Sequence, residues 1–116
     1  MQTAPTNGLS TGEIAELYRK YVLTTYAPTG IALARGRGTW VWDVEGRRYL
    51  DCLSGIAVTG VGHAHPKLVR AIRQQAGRLM HTSNLFLHEP QARLAEALAT
   101  RSMGGGCFFC NSGAEA

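Results

Sequence analysis

Apolar positions follow two rhythms along this chain of 116 residues, and the change between them divides it. From Ile14 the spacing is helical, and Ile14, Leu17, Tyr18, Tyr21 and Val22 form one stripe. Just ahead, Ser10-Thr11-Gly12-Glu13 has the Ser-x-x-Glu spacing of a capping box, in which the two side chains satisfy each other's orphan amide donors. Thr24-Thr25 and Pro28-Thr29-Gly30 end that helix, and the polar stretch Met1 to Leu9 reads as a mobile arm.

From Ile31 the period becomes two. Ile31 to Arg35, Thr39 to Asp43 and Arg48 to Leu53 read as three short strands, joined by the turn-like Gly36-Arg37-Gly38 and Val44-Glu45-Gly46-Arg47. That pattern predicts a β-meander. Trp40 and Trp42 share one face of the middle strand, so that face requires cover; packing explains the pair better than a ligand platform does.

Beyond the meander, Asp51 to Val58 leaves the sheet and Gly60-Val61-Gly62 makes a bend. Pro66 suits the first turn of a second helix, with Leu68, Val69, Ile72, Ala76, Leu79 and Met80 facing inward and Lys67, Arg70, Arg73 and Arg78 outward. His81 to Leu87 is a connection. A third helix starts near Pro90 and is expected to bury Leu94, Ala95, Leu98 and Ala99, with Glu89 and Arg93 paired across one turn. Cys107 to Cys110, after Gly104-Gly105-Gly106, reads as a buried strand, and Ala114-Glu115-Ala116 begins a helical pattern. A strand that turns into a helix through Ser112-Gly113 presents free amides and the positive end of a helix dipole, which is a phosphate seat. Ser112 adds a hydroxyl, Gly113 allows close approach, and Ala114 leaves the approach open.

Composition adds limits. A 45% hydrophobic content is ordinary for a globular chain. However, the last motif sits at the very end and the helices need partners, which argues against a self-contained unit. The net charge of +4 is dispersed, with no run of five like charges, so a nucleic-acid footprint is not indicated. Three cysteines in apolar settings fit reduced thiols better than a disulfide framework. The chain opens on no charged-then-apolar leader, and no apolar run reaches bilayer length, so the expectation is a soluble cytoplasmic protein without membrane partners.

Other candidate chemistry is weaker. Cys107 and Cys110 would point to opposite faces of a strand, and no second pair completes a metal site. His63 and His65 precede Pro66 at a helix entrance, where capping and loop hydrogen bonds account for them, so no metal is expected. The triple glycine precedes a strand, the wrong order for a dinucleotide fingerprint. Lys20 and Lys67, the only lysines, lie on solvated helix faces and so lack the desolvated setting of a Schiff-base lysine.

The chain nevertheless resembles the class III pyridoxal-phosphate-dependent aminotransferases over Tyr26 to Ala116. The resemblance runs through Trp42-Asp43-x-Glu45-Gly46-x-x-Tyr49-Leu50-Asp51, Ser54-Gly55-Ile56-Ala57-Val58, Gly62-His63-x-His65-Pro66, His81 to Phe86, and Phe108 to Ala116, in the family's order. It implies an α/β fold, the amino-terminal part of a fold-type-I transferase: helix, three-stranded antiparallel meander, then helices and the first strand of a large domain. Residues 1–62 would belong to the small domain and 63–116 would open the large pyridoxal-phosphate-binding domain. It further implies a homodimer that moves an amino group from N2-acetylornithine, or from succinylornithine, ornithine or 4-aminobutyrate, to 2-oxoglutarate through pyridoxal 5'-phosphate. The family's phosphate-binding motif maps onto Ser112, Gly113 and Ala114, and Ser54–Val58 and Asn84–Phe86 match segments that approach the substrate in relatives. The Schiff-base lysine, the ring-pairing carboxylate, the ring-stacking aromatic and the substrate-binding arginine have no counterpart here. On that basis the chain is an inactive amino-terminal piece of the enzyme. On the residues alone, a free-standing module for a phosphorylated small molecule and a non-catalytic interaction fragment stay open.

Overall fold

A computed structural model describes residues 8–116. The arm expected over Met1–Leu9 therefore lies, for residues 1–7, outside the described residues. The chain forms two compact units, residues 1–74 and 75–116.

In the first unit, α1 spans Thr11–Tyr21 and opens with the predicted capping box. The Ser10 amide donates to Glu13 Oε2 at 2.8 Å and the Glu13 amide to Ser10 Oγ at 3.3 Å. A second carboxylate joins them: Glu45, from the turn between two strands, accepts from the Thr11 amide (3.1 Å) and hydroxyl (2.9 Å). A helix N-terminus with free amides and a positive dipole end favours such an anion. Glu45 thus ties α1 to the sheet.

The meander forms with shifted borders: β1 Leu33–Arg37, β2 Trp40–Asp43 and β3 Arg48–Leu50, antiparallel in the order β1-β2-β3. Arg37 pairs with Trp40. The first turn therefore shrinks to Gly38-Thr39, with Gly38 at φ 59°, a left-handed value glycine adopts freely. A bulge between Leu33 and Arg35 follows, and Trp42 pairs with Arg35 on one side and Arg48 on the other. The cover for the tryptophan face is cationic. The Arg35 guanidinium lies 3.7 Å from the Trp42 ring centre, and that of Arg48 lies 4.3 Å from the Trp40 ring centre.

The opposite face holds the small core. Val41 is 6% exposed and Asp43 3%. Asp43 can be buried because both its oxygens are hydrogen-bonded: its carboxylate accepts from the Arg47 amide (2.8 Å), Arg47 Nε (2.7 Å) and the Tyr49 hydroxyl (2.8 Å). Burial pushes this carboxyl up, but the Tyr49 hydroxyl and the Arg47 side chain and amide outweigh it and hold it below its ordinary value.

Beyond β3 lie α2 (Ser54–Ala57), a single turn, and then α3 (Pro66–Ala76). In the second unit, α4 spans Glu89–Arg101. The expected Glu89–Arg93 pair forms at 2.7 Å, fully in solvent, where it contributes little. Two expectations fail here. None of α1, α3 and α4 has a buried residue: Leu68, Ile72, Leu94 and Leu98 stand exposed, as do Leu79 and Met80 beyond the end of α3, and Ala95 and Ala99 are only half-buried, because no layer of the described residues encloses their stripes. Cys107–Cys110 is not a strand and is not buried; Phe108 is 77% exposed. A strand exists by pairing, and no described segment pairs with this one. No helix of the described residues is long and apolar enough to cross a membrane.

The Gly36 position allows a sharp test. A Cβ there would lie 2.5 Å from His63 Cγ. Gly36→Ala should therefore cost about 1–3 kcal/mol of local stability. Hydrogen exchange at the Gly38 and His63 amides should accelerate roughly tenfold or more, while the α1 amides stay unchanged.

Asp43 carries a pH prediction. Because its folded value is lowered, its stabilisation is complete above the unfolded value of about 3.9 and is lost as pH falls through the lower folded value. Protection of the Arg47 amide, followed by exchange, should hold down to about pH 4 and fall below it, and Asp43→Asn should flatten that dependence.

Candidate functional site: a terminal phosphate seat and a clasped loop

The stretch after Cys110 forms one turn, closed by the Glu115 amide donating to Ser112 O at 3.1 Å. The expected start of a helix is present only as this turn, over residues 113–115. Just before it, the Asn111 amide is taken by Glu115 Oε2 at 2.9 Å. The amides of Ser112, Gly113 and Ala114, and the Ser112 hydroxyl, have no acceptor among the described residues. Three successive free amides with a hydroxyl beside them are a donor set suited to a phosphate dianion, and so to the phosphate end of pyridoxal phosphate.

Gly113 needs its lack of side chain for no internal reason. Its φ is not in the left-handed region, and a Cβ built on it would meet nothing within 4 Å. A strained glycine conformation at this position is thus absent; the space is open toward solvent. Cys110 stands closer to the seat than its reading as a packing residue implied, since its thiol donates to Ser112 O at 3.3 Å. Cys107 turns away and donates to Ala95 O at 3.7 Å. All three cysteines are free and exposed, not enclosed in apolar settings. Lys20 and Lys67 are both exposed, as their helix faces suggested.

A second constellation lies in the first unit, and its signal in the sequence was only partial. His63 bridges back to the meander. Its backbone and that of Gly38 exchange two hydrogen bonds, at 2.9 and 2.8 Å. Its Nε2 lies 2.6 Å from Asp51 Oδ2, while Asp51 Oδ1 accepts from the Leu53 (3.0 Å) and Ser54 (2.8 Å) amides. The bond to His63, then that to the Ser54 amide, hold the Asp51 carboxyl below its ordinary value. His65 stands at the entrance of α3, where its carbonyl accepts from the Val69 amide at 2.9 Å. Loop bonding by His63 is a use the position before Pro66 suggested, whereas His65 contributes only its carbonyl. Among the described residues, no three His, Cys, Asp or Glu side chains gather as a metal site.

Asp51 and His63 enclose the feature that the residues did not announce. Ser54, Gly55, Ile56 and Ala57 all have positive φ, from 51° to 65°. Left-handed backbone costs about 1–2 kcal/mol for each residue that carries a Cβ, and three of these four do. The turn is a strained one. Its bonds are local, from the Ile56 and Ala57 amides to Leu53 O and from the Thr59 amide to Ser54 O.

Comparison with known proteins gives the family. The family profile described as Aminotransferase class-III matches residues 21–116. The chain is 49% identical over 104 residues to the acetylornithine aminotransferase of Methanothermobacter thermautotrophicus, covering 90% of this chain and 27% of that protein. It is 52% identical over 96 residues to the acetylornithine aminotransferase of Nitrosomonas europaea, covering 83% of this chain and 24% of that one. Among solved structures, N-acetylornithine aminotransferase from Stenotrophomonas maltophilia superposes with a TM-score of 0.76 at 46% identity, over 87% of this chain and 26% of the other. The chain belongs to the class III aminotransferases, with the fold of the amino-terminal part of these pyridoxal-phosphate-dependent enzymes. It spans about a quarter of the length of the curated relatives it matches.

Proposed function

We propose that this chain is the amino-terminal segment of a transaminase subunit that moves an amino group from N2-acetylornithine to 2-oxoglutarate, and that Ser112, Gly113 and Ala114 seat the phosphate of its pyridoxal phosphate. The observation that carries the seat is the run of three amides without acceptors among the described residues, at a turn where a glycine has no internal need to be one. The donor is inferred from the acetylornithine aminotransferases to which the chain is about half identical. In this reading the complete subunit works as a homodimer in the cytoplasm, in arginine biosynthesis, with neither nucleic acid nor membrane as partner.

What this chain contributes is binding and orientation. The Ser112, Gly113 and Ala114 amides and the Ser112 hydroxyl donate to the phosphate oxygens, and such charge-assisted bonds are each worth about 1.5–3 kcal/mol. The open space at Gly113 lets the phosphate reach the backbone. Glu115 stays on the Asn111 amide, so its carboxylate and the phosphate use different donors. The cofactor, when bound, would supply an aldehyde to take up and return the amino group and an electron-withdrawing ring to stabilise the charge that develops. A lysine to anchor that ring lies outside this chain in this reading, since Lys20 and Lys67 both stand in solvent.

Activity is tested with a subunit of the relatives' length that begins with this segment. Glutamate should form from N2-acetylornithine and 2-oxoglutarate, and turnover only with a different amino donor would overturn the substrate assignment. The 116-residue chain alone should give no saturable change in visible absorbance on titration with pyridoxal phosphate, because it holds one end of the cofactor only.

The seat itself is tested by Gly113→Val. The branched side chain fills the space the phosphate needs and lengthens several bonds together, and losing even one costs about tenfold or more in affinity. Cys107→Ala is the matched control, since Cys110 touches Ser112 and Cys107 does not. Cofactor dissociation constants of the two variants decide the point, with circular dichroism to verify folding. Equal weakening by both would place the phosphate elsewhere.

A further inference from the structure

We propose that Asp51 and His63 form a positioning clasp that holds Ser54–Ala57 in its left-handed form. Each end of the clasp is fixed independently of the turn. The His63 ring lies against Gly36, at a spot where any side chain would clash, and its backbone is bridged to Gly38. Gly62 lets this happen: a Cβ there would lie 3.1 Å from the Gly38 backbone, and its φ of 82° is one glycine accepts. The Asp51 amide is held by Thr39 O at 2.8 Å. Between these anchors, one carboxylate divides its two oxygens. Oδ2 meets the His63 ring, and Oδ1 takes the amides of Leu53 and of Ser54, the first left-handed residue.

Something has to oppose the strain of three left-handed residues that carry a Cβ, and among the described residues side-chain burial does not. Ile56 is 83% exposed and Val58 81%. The turn's own backbone bonds are short-range and would be replaced in a right-handed turn. That leaves the carboxylate at its entrance and the ring that orients it. Strained backbone persists only where surrounding structure over-determines it, and here that structure is the clasp.

The experiment uses the complete subunit, and in that respect it rests on the reading above. Its readout is hydrogen exchange at the Ile56, Ala57 and Thr59 amides, which does not depend on activity. Asp51→Ala should speed exchange at these three about tenfold or more, with the Gly38 and His63 amides within about twofold of the parent. Adding Ala57→Asn should restore much of the protection, because asparagine tolerates the left-handed region better than alanine. Asp51→Asn keeps an oxygen for the Leu53 and Ser54 amides and should loosen the turn less than Asp51→Ala. It also serves where the alanine variant fails to fold. Unchanged exchange in both Asp51 variants would overturn the clasp. Equal acceleration at the Gly38–His63 bridge would make Asp51 a general anchor of the meander, and failure of Ala57→Asn to rescue would show that strain is not what the pair restrains; either also overturns it. A subunit that shows these exchange changes but no transamination would overturn the functional reading and leave the clasp standing.

Discussion

The first unit depends on one close approach. His63 can lie on the meander only because position 36 has no side chain, and the strand-like bridge between His63 and Gly38 follows from that approach. Gly62 and Gly38 meet back to back for the same reason. Close-packed interiors tolerate little overlap, so three glycines here set where the chain returns to the sheet after an excursion of twelve residues from Asp51. Everything that the loop presents, including its left-handed turn, is positioned from that joint.

Around the joint, polar groups do work that apolar burial does not. Only Val41 is a buried hydrophobic residue among the described ones. Asp43 is buried by its three donors, Glu45 holds the first residue of α1, and two guanidinium groups lie over the two tryptophans. Hydrogen bonds to a carboxylate and cation–π contacts are directional, so they fix geometry even where little area is removed from water. The amphipathic helices show the complement. Their apolar stripes are formed, yet no layer of the described residues buries them. A segment spanning about a quarter of its relatives has stripes whose covering layers belong to the rest of such a subunit in the reading proposed here.

The two constellations differ in how they use a glycine. At Gly36 the missing side chain makes room for His63, a contact internal to the chain. At Gly113 it makes room for nothing among the described residues, and the neighbouring amides of Ser112 and Ala114 are equally without acceptors there. In the function proposed here, that open space and the donors around it are what a phosphate would use.

What could be read from the sequence was whatever depends on near neighbours. The capping box at Ser10 and Glu13, the helical stripes, the Glu89–Arg93 pair, the meander and the loop role of the residues before Pro66 all follow from spacings of a few residues. The family and the general fold were also legible, through motifs in a fixed order. Tertiary structure alone decided the rest. Thr11 and Glu45 are 34 positions apart, and no local rule joins them. Strand borders moved because register is set by pairing, so Arg37 entered β1 once it faced Trp40. The left-handed run at Ser54–Ala57 contradicts the preference of three of its four residues, and an apolar run at Cys107–Cys110 could not become a strand without a partner. Propensity and periodicity describe what a segment favours alone; bonds between distant segments decide whether it is obtained.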